Sequence, residues 1–128
     1  MAHFAHLDSN GVVTGVYTLD NAEIGDAPFP ESEPLGQAFF QQLFPEGVFK
    51  QTSYNGNFRC RYAGVGYTYL EQYDAFIAPK LFPSFVFNEA SLSWVYPVQY
   101  PTDGKMYEWD ESIVNWKLVG TPFTVIGE

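Results

Sequence analysis

Tyr67-Thr68-Tyr69-Leu70-Glu71-Gln72-Tyr73-Asp74-Ala75-Phe76 carries aromatic rings at its first, third and tenth positions. The spacing returns at Phe85-Val86-Phe87 with Trp94, and again at Tyr107-Glu108-Trp109 with Trp116. Rings two residues apart lie on one face of a strand. The residues between are turn formers: Glu71-Gln72-Tyr73-Asp74, Asn88-Glu89-Ala90-Ser91 and Asp110-Glu111-Ser112. A loop of about four residues is expected to bring position ten back opposite position one. Rings at positions three and ten are expected to pair across each hairpin and fill its core, at roughly 0.2–1 kcal/mol per pair. The phrase is a β-hairpin used as a brick, and a chain of such bricks presents surface.

Upstream, Phe4-Ala5-His6-Leu7, the turn Asp8-Ser9-Asn10-Gly11 and Val12 to Leu19 predict a further hairpin over 2–19, because Asn-Gly tolerates positive φ and the returning run is β-branched. Residues 20–33 read as an irregular, exposed acidic loop. Residues 33–43 read as the one helix, capped by Ser32, with Pro34 in its first turn and Leu35, Ala38, Phe39 and Leu43 as its apolar stripe. Pro45 stops it. Val48 to Tyr54 and Phe58 to Tyr62, joined through Asn55-Gly56, predict another hairpin. Phe123-Thr124-Val125-Ile126 predicts one more edge strand.

The expected fold is therefore mainly β with one short α-helix, its antiparallel hairpins laid as a meander. Residues 1–66 would hold the N-terminal hairpins and helix. Residues 67–119 would hold the three aromatic hairpins (67–76, 85–94, 107–116), and 120–128 the tail, all in one unit. Spacings of 18 and 22 between copies are too irregular for a fixed-period solenoid.

The chain has 128 residues, 19% of them aromatic and only 16% charged. That charged fraction falls below the usual quarter, so more bulky apolar surface exists than a small monomer hides, and some of it is expected to meet protein. A net charge of −9 argues against nucleic acid. The charge is also segregated. Residues 1–49 hold seven acids and no Lys or Arg, whereas 50–70 hold Lys50, Arg59 and Arg61 and no acid. Such asymmetry can steer assembly. Lone Cys60 forms no intrachain disulfide and reads as a buried, inert thiol. Met1 to His6 has no basic region or signal-length apolar run, and no stretch reaches the roughly 18 apolar residues of a membrane span. The expectation is a chain neither secreted by that route nor membrane-embedded.

Catalytic and metal chemistry find no constellation. His3 and His6, three apart on a strand, are expected on opposite faces. Asp110-Glu111 and Asn88-Glu89 lack the alternating oxygens of a calcium loop, and Gly64-Val65-Gly66 lacks the third glycine of a dinucleotide fingerprint. No enzyme activity, cofactor or metal is expected. Tyr67, Tyr69, Phe76, Phe85, Phe87, Trp94, Tyr107, Trp109 and Trp116 are read as hairpin-core rings. Lys50, Tyr54, Arg59, Arg61, Tyr62, Tyr96 and Tyr100 are the candidate protein-interface residues. The competing reading takes Trp94, Trp109 and Trp116 with the nearby tyrosines as a sugar-stacking platform.

Met1-Ala2-His3-Phe4-Ala5, Lys50 to Arg59, Tyr62 to Tyr69 and Asp74 to Lys80 carry a resemblance, as do Phe82-Pro83-Ser84-Phe85, Pro97-Val98, Tyr100 to Asp103 and Tyr107 to Glu111 with Trp116. These stretches resemble small virion structural proteins of marine tailed phages, chiefly cyanophages. The likeness covers most of the chain except 20–33 and the tail. Cys60 and Arg61 depart from its pattern. It implies a structural virion role: capsid decoration (cement), or a tail or neck accessory. The partners would be other virion proteins, in multiple copies or as a homo-oligomer, assembled in the host bacterial cytoplasm. The alternative is a host-facing adhesin or fibre module that binds surface glycan through exposed rings.

Overall fold

A computed structural model describes residues 1–120. Strand β1 (Ala2–Leu7) pairs antiparallel with β2 (Val13–Leu19) through the Asp8–Gly11 turn. Asp8 Oδ1 holds that turn, accepting from the backbone N–H of Asn10 at 2.8 Å and of Val12 at 2.9 Å. A 3-10 turn over Asn21–Ile24 follows, then helix α1 (Ser32–Leu43) and strand β3 (Val48–Thr52). β3 adds to the other edge of β1, giving the order β2-β1-β3.

β1 is the centre of this sheet and is buried on both faces. On one face, Ala2 and Phe4 pack with Leu19, Ile24, Phe40 and Phe49 under the helix. On the other, Ala5 and Leu7 pack with Val13, Ala63 and Phe76. Fully burying a Phe side chain such as Phe4 or Phe76 is favourable by roughly 1.5–3 kcal/mol.

Three antiparallel two-stranded hairpins complete the described chain: β4 (Thr68–Leu70) with β5 (Ala75–Ile77), β6 (Val86–Asn88) with β7 (Ser93–Val95), and β8 (Met106–Asp110) with β9 (Asn115–Gly120). The mainly β fold with one helix and small antiparallel sheets is thus the one expected. Each hairpin places position three opposite position ten: Tyr69 with Phe76, Phe87 with Trp94, Trp109 with Trp116. Position ten does not return opposite position one. A four-residue loop, such as Glu71–Asp74 between Leu70 and Ala75, leaves no spare residues for that register. The last loop residue is left-handed in all three copies, at Asp74 (φ 48), Leu92 (φ 51) and Val114 (φ 48).

Five other expectations are corrected. Residues 58–62 form no strand, and β3 pairs with β1 instead of folding back on them. The Asn55-Gly56 turn does form, with Gly56 at φ 68, but Arg59 (φ 57) and Cys60 (φ 73) then leave the extended region. Pairing with β1 buries Phe49, whereas a lone hairpin is marginal in water. Ser32 is no cap: it lies within the helix, buried, and its hydroxyl donates to Gln51 Oε1 at 2.7 Å. The helix buries Ser32, Gly36 and Phe40, while Leu35 and Leu43 stand exposed, Leu43 at 62%. Gly36 selects that face, because a Cβ there would lie 2.0 Å from Cζ of Phe4. Cys60 is exposed, not buried. Residues 20–33 are exposed for the most part, as expected, but not irregular throughout: Asp20 caps the 3-10 turn, its Oδ1 accepting from Ala22 N–H at 3.1 Å, and Ile24 lies in the core.

The chain divides into two compact units, Met1–Pro79 and Lys80–Glu128. The boundary falls after the first aromatic hairpin, not before it. β4–β5 is fastened to the first hairpin, with Val13 N–H donating to Tyr67 O at 2.7 Å and Tyr69 N–H to Gly11 O at 2.9 Å. The strand expected at Phe123–Ile126 lies outside the described residues.

Candidate interaction surfaces

The cations of residues 50–61 converge on the first aromatic hairpin. Arg59 lies at the centre. Its Nη2 donates to Glu33 Oε1 at 3.0 Å and its Nη1 reaches Glu33 Oε2. Its Nε donates to Asp74 Oδ1 at 2.8 Å, and Nη1 also to Gln51 O at 2.9 Å. The guanidinium lies over the rings of Phe29 and Tyr69. Lys50 Nζ stands 5.2 Å from the Tyr69 ring centre, and Arg61 Nη1 donates to Phe76 O at 2.6 Å. With its side chain 7% exposed, Arg59 is an internal clamp that leaves little charge for a partner. The charge segregation of the sequence is spent joining helix, sheet and hairpin.

The clamp shifts its neighbours. Burial alone would lower the Arg59 pKa, but the hydrogen bonds it donates to Glu33 and Asp74 carry it above its ordinary value. Burial and the hydrogen bond to Asp74 (2.5 Å) push the Tyr69 hydroxyl up to about 12. The Tyr69 hydroxyl, then Arg59, holds the Asp74 carboxyl below the usual range.

Tyr54 is 68% exposed and stands edge-on to Tyr62, ring centres 5.2 Å apart. His3 meets both, at 5.6 and 5.5 Å. Burial, then the nearby N-terminal charge, lowers the His3 pKa. His6 stacks instead on Phe49 at 4.5 Å, and the two histidines share no ring neighbour. A shallow groove of about 220 Å³ runs beside Tyr54, lined also by Ser53, Asn55 and Asn57 and by His3 and Met1.

The outer edge of β3 is closed. Gln51 N–H donates to Glu33 Oε2 at 2.7 Å, while Gln37 Nε2 donates to Phe49 O at 2.8 Å and Gln41 Nε2 to Gly47 O at 2.7 Å. Helix residues four apart lie on one face, and alternate strand residues point their backbone groups outward. Glu33, Gln37 and Gln41 therefore engage three outward backbone groups along Gly47–Gln51 and block edge-to-edge strand addition there. Sequence reasoning missed this ladder. Its signal was the polar 33-37-41 spacing beside a strand.

Among the described residues of the second unit, Phe82, Phe85, Tyr96, Tyr100, Tyr107, Trp109 and Trp116 form one connected set of rings. Tyr96 sits 4.6 Å from Phe85, 5.1 Å from Trp109 and 4.5 Å from Trp116. Tyr100 meets Trp116 at 4.9 Å, and Trp116 Nε1 donates to Val98 O at 2.9 Å. Glu111 accepts from Ser84 N–H (3.0 Å), Ser84 Oγ (2.6 Å) and Trp109 Nε1 (2.9 Å). The bonds from Ser84, then Trp109, hold its carboxyl below the usual range. The candidates Tyr96 and Tyr100 are half inside this set and half exposed. Sequence reasoning missed Glu111. Its signal was a Glu at position five of all three copies: Glu71, Glu89 and Glu111.

Among the described residues, no three His, Cys, Asp or Glu gather to hold a metal ion, and no helix is long and apolar enough to cross a membrane. Comparison with protein-family models, with curated proteins and with solved structures finds no match.

Proposed function

We propose that this chain is a non-enzymatic structural protein of a tailed-phage virion, binding other virion proteins as a capsid decoration or a tail or neck accessory. One observation carries the reading: the balance of apolar surface in Lys80–Glu128. Of the fourteen buried hydrophobic residues described, only Phe85 belongs there. Eleven large apolar side chains of the same unit stand exposed, from Leu81 to Val119. Paired hairpins with so little buried core gain stability by covering that surface, and contiguous exposed apolar surface marks protein contact. Tyr96 and Tyr100 belong to this contact in the proposal. The closed edge of β3 is unavailable for strand addition by a partner. Mass spectrometry of purified particles tests it. The chain is expected at a fixed multiple of the major capsid or tail protein, and its absence from particles overturns the reading.

The glycan reading rests on a different place, the exposed Tyr54 ring beside the Asn55–Asn57 groove. Flat rings flanked by amides suit a neutral sugar. Tryptophan is remote in sequence from this groove, so the check is NMR of the His3 and Tyr54 rings during titration with host polysaccharide. Unmoved signals remove it.

A further inference from the structure

Strand β2 leaves part of its outer edge open. The bonds along β3 fix which way each backbone group points. Phe49 O and Gln51 N–H face outward to the helix, so Val48, Lys50 and Thr52 face β1. Their partners Leu7, Ala5 and His3 face β3 in return, which leaves Ala2, Phe4 and His6 to bond β2. Those three pair with Leu19, Tyr17 and Gly15. Val16 and Thr18 therefore turn their N–H and C=O away from the sheet. Val13 also faces outward, across the bulge at Thr14, but it is occupied. Its N–H donates to Tyr67 O, and its C=O accepts from Gly66 N–H at 2.9 Å. Among the described residues, no hydrogen bond reaches the outward groups of Val16 or Thr18.

Nothing in this stretch blunts the edge. Edge strands are protected by charge, proline, brevity or a cover. β3 has its cover, and the hairpin strands are three residues long or carry Glu108, Asp110 and Lys117. Val13–Leu19 runs for 7 residues with no charge and no proline, and its bulge precedes the open groups.

We infer that two copies of this chain pair through this edge, β2 against β2 and antiparallel, about a two-fold axis at Tyr17. The occupant follows from self-complementarity. With the two Tyr17 residues opposite each other, Val16 of each copy lies opposite Thr18 of the other. Every open N–H and C=O of both residues then finds a partner. Neighbouring registers do worse. An axis at Val16 would set Thr18 against the bulge residue Thr14. An axis at Thr18 would set Val16 against Asp20, whose C=O already accepts from Glu23 N–H at 2.9 Å. The axis at Tyr17 also makes a cross-strand aromatic pair. Tyr17 is 37% exposed and stacks on Phe44 at 5.8 Å, just past Leu43, which is 62% exposed. Pairing extends cover over this apolar patch. The contact closes on itself, and the β3 edges at both ends of the joined sheet are blocked, so assembly through β2 stops at two copies. The inference stands apart from the virion reading: particle content tests that one, and pairing in solution tests this one.

The test uses the full chain. Amide exchange followed by NMR is expected to slow at Val16 and Thr18 as protein concentration rises, while sedimentation shows a dimer. Tyr17→Lys and Tyr17→Glu each put like charges opposite one another on the axis and are expected to weaken self-association about tenfold. Mixed in equal amounts, the two variants are expected to pair with each other, because opposite charges then meet. A variant that merely misfolds gives no such rescue. A chain that stays monomeric at every concentration overturns the pairing, as does undiminished self-association of both variants. Slow exchange at Val16 and Thr18 that ignores concentration overturns it too, since the occupant would then belong to the same chain. Weakened association with no rescue in the mixture overturns the axis at Tyr17.

Discussion

Arg59 shows how one side chain decides where a neighbouring segment goes. Its five donors fix Glu33 of the helix, Asp74 of the hairpin turn and the backbone of β3. Lysine keeps the charge but not the fork. Arg59→Lys is expected to destabilise Met1–Pro79 by about 2–3 kcal/mol, and Arg59→Ala by about 3–5 kcal/mol, the cost of stranding a buried partner; urea titration by circular dichroism measures both, and a change below 1 kcal/mol in the alanine variant would refute the clamp. The shifted groups give the clamp a pH window. The Tyr69 hydroxyl, raised to about 12, keeps its proton more tightly folded than unfolded, so its contribution is full below about pH 10 and declines between about 10 and 12. Asp74, lowered, contributes above the ordinary carboxylate range and loses that contribution as pH falls through its folded value. Tyr69→Phe is expected to flatten the alkaline limb of the urea midpoint against pH and to weaken the acid limb as well, because the same hydroxyl holds Asp74 down; an unchanged alkaline limb would contradict the assignment.

The helix and the hairpins differ in how far the sequence revealed them. The hairpin phrase was readable because period-two rings and a four-residue turn are local, and the structure keeps even its left-handed closing residue in all three copies. Val114 holds that position at φ 48 with a β-branched side chain, a conformation costing roughly 1–2 kcal/mol outside glycine and asparagine. Val114→Asn is therefore expected to stabilise the third hairpin by about 1 kcal/mol, read from the tryptophan-monitored urea midpoint; a lowered midpoint would show that the Val side chain is needed where it stands. The buried face of α1 was not readable. Leu35, Ala38, Phe39 and Leu43 made the more apolar stripe, yet Gly36 and Ser32 face the sheet because the Phe4 ring fills the space a side chain would take. Gly36→Ala forces a Cβ into that ring and is expected to cost about 1–3 kcal/mol despite the better helix propensity of alanine, measured by thermal melting; a raised midpoint would mean the ring has room to move. The strand expected at 58–62 failed for the same reason. Long-range partners, β1 for Phe49 and Glu33 for Arg59, outweighed a locally sound hairpin signal. The interface candidates divided likewise. Tyr54, Tyr96 and Tyr100 are accessible rings, as their place outside the repeat suggested, whereas nothing local to Arg59 announced that its charge would be answered by Glu33, twenty-six residues away.

Two units with unequal cores make a chain that need not unfold in one step. Met1–Pro79 holds thirteen of the fourteen buried hydrophobic residues described, most of them packed on the two faces of β1. Lys80–Glu128 relies on cross-strand ring pairs, the Tyr96 contacts and the Ser84–Glu111 bonds, interactions that each contribute around 1 kcal/mol or less. The tryptophans report on this division without labelling. Trp94, Trp109 and Trp116 all belong to the second unit and none to the first. Tryptophan emission therefore follows the loss of the aromatic hairpins, while far-ultraviolet circular dichroism at helical wavelengths follows α1, which lies in the first. A two-state chain gives coincident transitions by both probes. Here the fluorescence midpoint in urea is expected below the helical one, because the second unit has the smaller buried core. Tyr96→Ala should widen the gap by lowering the fluorescence midpoint alone, since the Tyr96 ring joins Phe85 to both Trp109 and Trp116. Coincident midpoints that move together in the variant would mean that the two units share one cooperative core, and a partner's surface would then no longer be what the exposed rings of the second unit lack.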